Sequence, residues 1–444
     1  MLRELTAVVL ADGNDGDNLY PLTEDMPLAL LPVANRPLLS YQLEMLSVAG
    51  GFSHVIVVCH ERHHHRLQQY AAEEYKGSLR LEVAVVEEGA GSADALRALR
   101  TKITTDFVLI SGDVISDVPF QHLADTHRLH NASATVLFKQ QPPRPASDKK
   151  KARDLDGTDF VGIDATRQRL LHLESAADCD AGVITVSESM LRARPYVEVH
   201  SDFADAHVYI FAHWVLSVLD LKPHFSSAKF ELLPYLVRKQ FLSTANLSMP
   251  QQQVHLEQAL SMSSSTAAAR AANTAGNDHV RCCCYVVPHD AGYCMRACSI
   301  ASFMQANLDI CRGGAAHFEK APEPNETIKE GNFVLKSISA DSARGVRVEV
   351  GARSSIKKSA IGANCKIGSG VRLANCVLME GVVLHDKVNM SNCIVCKGAE
   401  VHEGASLKDA QVGSNVTVDA GAVVKGEALT ALEAGAEVEE AEEL

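Results

Sequence analysis

Apolar residues along the chain keep two different rhythms, and the change falls near Gly345. Before that point, short runs of consecutive aliphatics alternate with stretches whose apolar positions recur at helical spacing. Ala7-Val8-Val9-Leu10, Val55-Ile56-Val57-Val58 and Phe107-Val108-Leu109-Ile110 are continuous apolar runs that read as buried strands, the mark of a parallel sheet, and Leu81–Val86 reads as a further strand. Leu39, Leu43 and Leu46 recur at i, i+4 and i+7 and predict a helix that ends at Gly50-Gly51. Residues 61–74 and Ala93–Leu99 read as further helices. Strand-like sequence resumes at Phe160–Ile163 and Ala206–Phe211, helical sequence at Trp214–Leu219 and Glu231–Gln240, and one more strand and helix fit between Cys282 and Asn307. Alternating strand and helix with short links predicts an α/β domain over 1–310, a doubly wound, mostly parallel, Rossmann-like sheet. Its ligands would sit beyond the carboxyl ends of the strands, where both the loop after Leu10 and Asp113 fall.

Beyond Gly345 the aliphatics return every six residues: Ile361, Ile367 and Leu373, then Val382, Val388 and Ile394, with occasional slips of one. Glycine follows the aliphatic at Ile361-Gly362, Ile367-Gly368 and Val412-Gly413. An amphipathic strand alternates every two residues, whereas a six-residue beat with small residues between predicts a parallel β-helix over 345–426, its aliphatics filling a narrow prism. Between the rhythms, residues 311–344 read as a linker. Gln140–Thr158, with Lys149-Lys150-Lys151, reads as an exposed loop, residues 249–279 as a low-complexity insertion, and residues 427–444 as a solvated acidic tail.

Composition narrows the function classes. The 444 residues are 46% hydrophobic, enough for sizeable globular cores. A formal charge of −13, from 42 basic and 55 acidic side chains, argues against direct nucleic-acid binding. No apolar run approaches the roughly 20 residues of a membrane span. The first strand begins almost at Met1, with no signal or transit character before it. The twelve cysteines, several inside apolar runs such as Cys59 and Cys282–Cys284, then read as reduced thiols of a cytosolic protein.

The candidate chemistry centres on the first loop. Leu10-Ala11-Asp12-Gly13-Asn14-Asp15-Gly16-Asp17-Asn18 has the two glycines of a phosphate-cradling turn, yet carries three aspartates and no cation. His60-Glu61-Arg62-His63-His64 satisfies H-E-x-x-H, but it straddles a strand end and offers no third ligand, so it reads as a solvent-exposed histidine cluster. Cys393-Ile394-Val395-Cys396 is a lone CxxC and reads as inert thiols. Asp12–Asp17 lacks the spacing of a Ca²⁺ loop.

A doubly wound domain followed by hexapeptide repeats resembles the sugar-nucleotide pyrophosphorylases, whose opening signature is matched by Leu19-Tyr20-Pro21-Leu22-Thr23, Pro27, Leu30-Leu31-Pro32-Val33 and Asn35-Arg36-Pro37-Leu38. The resemblance implies a nucleotidyltransferase-like domain and a left-handed β-helix. A narrower likeness rests on Glu231–Phe241, Asp205–Tyr209, Lys149–Lys151 before Asp159–Asp164, and Ser354–Gly362. In these segments, over roughly residues 5–425, the chain resembles the gamma subunits of eukaryotic translation initiation factor 2B, the guanine-nucleotide exchange factor for translation initiation factor 2. That family's epsilon subunit carries a further C-terminal helical domain that performs exchange, for which this chain has no room.

The resemblance also implies a disabled site. Transferases of the broader family stabilise phosphate charge with a loop Arg, the Lys of Pro-Lys-Pro and Mg²⁺ on aspartates. Here Asn18 stands at the Arg position and Leu28 at the Lys position, while Asp205 and His207 stand where that family has Asn and Gly. Asp113, at the metal-binding aspartate, is a relic, a weak Mg²⁺ ligand or a helix cap. Leu10, Ala11, Gly13, Gly16, Asn18, Leu28, Asp113 and Asp205 thus define a vestigial nucleotide pocket with no catalytic residue and no metal site. No resident cofactor is expected, weak nucleotide or Mg²⁺ binding being the most such a pocket would hold. The implied role is a non-catalytic gamma-type subunit, partnered by an epsilon-type subunit, the other exchange-factor subunits and translation initiation factor 2. The alternative is a sugar-nucleotide pyrophosphorylase or its inactive, nucleotide-sugar-sensing regulatory subunit.

Overall fold

In the computed structural model, seven strands form the main sheet: β1 (Leu5–Leu10), β2 (His54–His60), β3 (Arg80–Val86), β4 (Asp106–Ser111), β5 (Ala134–Gln140), β6 (Phe203–Phe211) and β7 (Cys282–Val287). The structure describes residues 5–12, 18–24, 26–142, 158–179, 183–241, 280–313, 338–339 and 341–430. The loop glycines Gly13 and Gly16, the Lys149–Lys151 run, the 249–279 insertion, most of the linker and the tail from residue 431 lie outside them.

The strand order is β7-β5-β6-β4-β1-β2-β3. β1 pairs in parallel with both β2 and β4, β2 with β3, and β5 with β7, while β6 runs antiparallel to its neighbours β4 and β5. The aliphatic runs of β1, β2 and β4 are buried, and Val8, Ile56, Phe107 and Leu109 lie in one core with Phe138, Phe211, Leu233 and Leu236, whereas β3 is an edge strand with Val85 exposed. The helices that cross between strands are α1 (Leu38–Ala49), α2 (Glu61–Gln69), α3 (Ser92–Ala98), α4 (Phe120–Leu129), α5 (Val215–Leu221) and α6 (Leu233–Lys239). α1 ends where expected, because Gly50 and Gly51 take φ of +69° and +90°, a region that costs glycine nothing.

The chain divides into two compact units built from non-contiguous segments. One comprises residues 1–14, 42–111 and 118–294; the other comprises 15–41, 112–117 and 295–444. Within the second, helix α7 (Ile300–Cys311) is capped by Ser299, whose hydroxyl accepts from the Ser302 amide. The buried Asn307 of α7 accepts from the Ala34 amide at 2.8 Å, and the Asn35 amide donates to the Ile361 carbonyl at 2.9 Å. Those two bonds tie the Pro32–Pro37 hairpin, whose turn residues Ala34 and Asn35 both have positive φ, to α7 and to the repeats.

The repeats form three parallel sheets of six, five and five short strands, from Ala343–Arg344 to Ala428–Leu429. Ala343 pairs with Ala360 and Ala360 with Val377, so one coil is 17 residues. That figure explains the slips in the six-residue beat: two sides take six residues and the third takes five. Each inward position becomes a column one coil apart, such as Ile356, Leu373, Met390 and Leu407, or Ile361, Leu378, Val395 and Val412, all buried. Coils stack so closely that a Cβ on Gly362 would meet the Met379 carbonyl carbon at 2.5 Å, so glycine follows the aliphatic there for want of space. Among the described residues no helix is long and apolar enough to cross a membrane.

Candidate functional site

At the carboxyl edge of the first unit's sheet, Leu10 is half-buried and Ala11 fully buried, the Ala11 amide donating to the Val58 carbonyl at 2.8 Å. The next residue, Asp12, turns back onto the amino end of α2. Its Oδ2 accepts from the His60 amide at 2.5 Å, and its Oδ1 lies 2.6 Å from Nδ1 of His63, with Nδ1 of His60 3.2 Å from Oδ2. A carboxylate at a helix amino terminus offsets the partial positive charge of the unpaired amides. The expectation of a solvent-exposed histidine cluster is therefore corrected for His60 and His63, which are largely buried against Asp12. Nor is Asp12 a free charge aimed at a ligand; it is consumed by the fold. The spacing His60…His63, at i and i+3 across a strand-to-helix junction, was the available signal, but it names no partner.

Asp205 lies on β6, which runs antiparallel to β4, so it sits at the same edge as Leu10 and Ala11. Its carboxylate is buried and satisfied internally: Tyr209 Oη donates to Oδ2 at 2.7 Å and the His207 amide donates to Oδ1 at 2.8 Å. Burial pushes the Asp205 carboxyl above the usual carboxylate range, with Asp159 adding to it, while Lys229, Tyr209 and the His207 amide pull the other way. Lys229 itself is held 3.0 Å from the buried Asp159. The sheet register breaks between Asp205 and Tyr209, and His207 at the break has φ of +52°. A glycine at this position, as the broader resemblance implied, would take that backbone without strain; histidine holds it at a cost of about 1 kcal/mol or more.

The remaining pocket residues belong to the second unit. Asn18 is exposed, in a turn. Leu28 opens a single turn of 3-10 helix over Leu28–Leu30 and is buried. Asp113 caps no helix, which corrects that option: it sits in the turn between β4 and the strand Val114–Ser116, its side chain almost wholly buried. Arg296 reaches its Oδ2 with Nη2 at 2.7 Å and Nε at 3.0 Å, and the Asp113 carbonyl accepts from the Ala297 amide at 2.9 Å. Oδ1 is buried with no hydrogen-bond partner. The chain's own guanidinium thus occupies one oxygen of the carboxylate that a transferase would turn to a cation. Sequence reasoning had no access to Arg296, 183 residues downstream.

The free thiols are buried for the most part. Burial drives Cys59 up to about 12 and Cys283 to about 11, and raises Cys282 and Cys284 as well. Cys393 neighbours Cys376, one coil away, which together with burial raises the Cys376 thiol.

Comparison with known proteins adds the following. Residues 6–148 match the family model for nucleotidyl transferases, and residues 334–424 match the model for the LbH domain of the eIF2B epsilon subunit. The fold is accordingly a nucleotidyltransferase domain with a mostly parallel sheet, followed by a left-handed parallel β-helix. The chain is 30% identical over 393 residues to the translation initiation factor eIF2B subunit gamma of Dictyostelium discoideum, covering 82% of this chain and 88% of that one. It is 34% identical over 243 residues to the corresponding subunit of Schizosaccharomyces pombe, covering 54% and 52% of the two chains. The epsilon subunit of Schizosaccharomyces pombe is 30% identical over 213 residues, 46% of this chain and 31% of that one.

Proposed function

The chain belongs to the family of gamma subunits of translation initiation factor eIF2B, and from that premise we propose that it serves the exchange factor without performing chemistry of its own. Exchange of GDP for GTP breaks no covalent bond. A factor accelerates it by binding the nucleotide-poor state of the GTPase better than the GDP-bound state, so a subunit contributes by what it binds and holds in place. In this reading the chain works in the cytosol, pairs with an epsilon-type subunit through their related domains, joins the other exchange-factor subunits, and meets translation initiation factor 2 as part of that assembly. It takes no resident cofactor.

The observation that carries the non-catalytic reading is the Asp113–Arg296 pair. A buried carboxylate already paired at 2.7 Å with a guanidinium is a poor ligand for Mg²⁺, and Asn18 and Leu28 supply no cation in compensation. Loss of one preorganised transition-state contact typically lowers a rate by about 10²–10³. Two are missing here before the metal is considered.

The test is reconstitution. The purified chain is offered to an epsilon-type subunit, complex formation is read by native mass spectrometry, and GDP release from translation initiation factor 2 is timed with and without the chain. We expect a complex, faster release from it than from the epsilon-type subunit alone, and no acceleration by this chain alone. Acceleration by the isolated chain, or failure to form the complex, would overturn the reading. Calorimetry against GTP, ATP or a nucleotide sugar with Mg²⁺ tests the cofactor statement; a micromolar dissociation constant for any of them would favour a ligand-sensing role.

A further inference from the structure

Three metal-ligating side chains converge on one face of the β-helix, from two successive coils. Leu384 pairs in parallel with Val401, so the residues that follow, His385 and His402, stand one above the other. Their imidazole rings stack with centroids 4.9 Å apart and planes 25° apart. Glu400 precedes His402 by two positions and therefore points to the same face of its strand. Its Oε1 lies 2.6 Å from Nε2 of His385, and one ligand atom from each of the three side chains lies within 4.8 Å of the other two.

We propose that His385, Glu400 and His402 form a binding site for one divalent transition-metal ion of the Zn²⁺ class, which would clip adjacent coils together. The donor set decides the class of ion. Two imidazole nitrogens and one carboxylate oxygen suit Zn²⁺ and its neighbours, whereas Mg²⁺ and Ca²⁺ want oxygen throughout. Three protein ligands with the fourth position left to water is a regular zinc arrangement. Bonds of about 2.0–2.1 Å in a tetrahedron set the donors roughly 3.4 Å apart. The trio's ligand atoms, all within 4.8 Å of one another, stand close to that spacing on partly exposed side chains.

The backbone beneath them is fixed. The amide of His385 donates to Val401, that of Glu400 to Val416 and that of His402 to Val418, each at 2.9–3.0 Å, so the three side chains spring from ladder positions rather than from loops. An ion pair alone accounts poorly for the cluster. Glu400 makes its short contact with His385, and the second imidazole, His402, stacks on that ring and completes a set of three ligands. Nearby carboxylates are engaged elsewhere, Glu403 with Lys387 at 2.7 Å and Glu380 with Lys397 at 3.5 Å. The sequence motifs that suggested metal, H-E-x-x-H and CxxC, are not involved. His385 and His402 are 17 residues apart, and only the length of a coil brings them together.

The full-length chain, carrying no affinity tag of histidines, is titrated with Co²⁺ as a spectroscopic probe and then with Zn²⁺. We expect one Co²⁺ per chain with the visible absorption of a four-coordinate site, displaced by Zn²⁺. His385→Ala and His402→Ala should each weaken binding by about tenfold or more, and Lys387→Ala, which breaks only the neighbouring ion pair, should leave it unchanged. Because the substituted side chains are half-exposed, metal-free melting curves serve to verify that the variants fold. The absence of Co²⁺ uptake overturns the proposal. So does uptake that both histidine variants retain, which would locate the ion on the His63–His65 run or the cysteines.

Discussion

At the scale of single residues, three aspartates singled out in the sequence are spent on contacts within the fold. Asp12 serves the amino end of α2, Asp205 is closed by Tyr209 and a backbone amide, and Asp113 is held by Arg296. Arg296→Met should leave the Asp113 carboxylate buried and unpaired, a loss of about 3–5 kcal/mol in local stability, while adding Asp113→Leu should recover most of it. Hydrogen-exchange opening energies around residues 113 and 296 would measure both. A double variant as unstable as the single one would mean that Arg296 matters for other contacts. His127 makes a pH prediction. Its Nδ1 lies 2.8 Å from the Thr135 hydroxyl, and burial, helped by Arg128, lowers its pKa to about 3. The unfolded chain takes up a proton near pH 6.5 that the folded chain refuses. Stability from this group is therefore complete above that pH and declines as pH falls toward 3, by about 2 kcal/mol at pH 5. His127→Gln should flatten that part of the melting profile between pH 7 and 5. None of these pairings was legible in the sequence. The acidic residues were, since a strand end and a glycine-rich loop mark them, but the partners of Asp12 and Asp113 lie 48 and 183 residues away, and those of Asp205, two and four residues on, meet it only through a break in the sheet register.

At the scale of elements, the two rhythms of apolar positions decide most of the fold, because each burial geometry leaves its own period. Continuous aliphatic runs became central parallel strands, and the six-residue beat became the faces of a coil. The reversed direction of β6 left no trace, since a strand buried on both faces reads alike in either direction. The 17-residue coil was hidden by its own irregularity, one short side in three. Its corners carry a second code. Asn375, Asn392 and Asp409 occupy equivalent corners with φ of +55°, +53° and +53°, and they form a ladder: the Asn375 amide donates to Asn392 at 3.1 Å, and the Asn392 amide to Asp409 at 2.8 Å. Asn392→Val places a β-branched residue in the left-handed region and removes both bonds, and should cost about 2–3 kcal/mol. Asn392→Gly loses the same bonds but keeps the backbone comfortable, and should cost less than about 1 kcal/mol by the same reasoning. Urea midpoints of the β-helix transition compare the two. Equal losses would assign the corner to the ladder bonds rather than to backbone conformation.

At the scale of the whole molecule, the proposed non-catalytic role does not rest on one or two substitutions alone. Leu28 illustrates this. It is the residue that would have to be a lysine, and it is part of the packed interior of its unit, with Ala29, Leu30 and Leu31 buried beside it. A lysine there would face a desolvation penalty before it met any phosphate. Restoring Asn18→Arg and Leu28→Lys together should therefore give no sugar-nucleotide formation from a nucleoside triphosphate and a sugar 1-phosphate above the unmodified chain. The two contacts on their own would be worth about 10⁴–10⁶ in rate if the rest of the machinery were intact. The proposed reading holds that it is not, because Asp113 stays paired with Arg296. The measurement is pyrophosphate release with Mg²⁺ present, run beside melting curves so that a double variant unfolded by its buried ammonium is not mistaken for a chemically silent one. Asn18→Arg alone, at an exposed turn, supplies the folded control. If the folded double variant turned over, the pocket would be an enzyme lacking two residues, and the non-catalytic reading would fall; a folded, silent double variant is the outcome that reading expects.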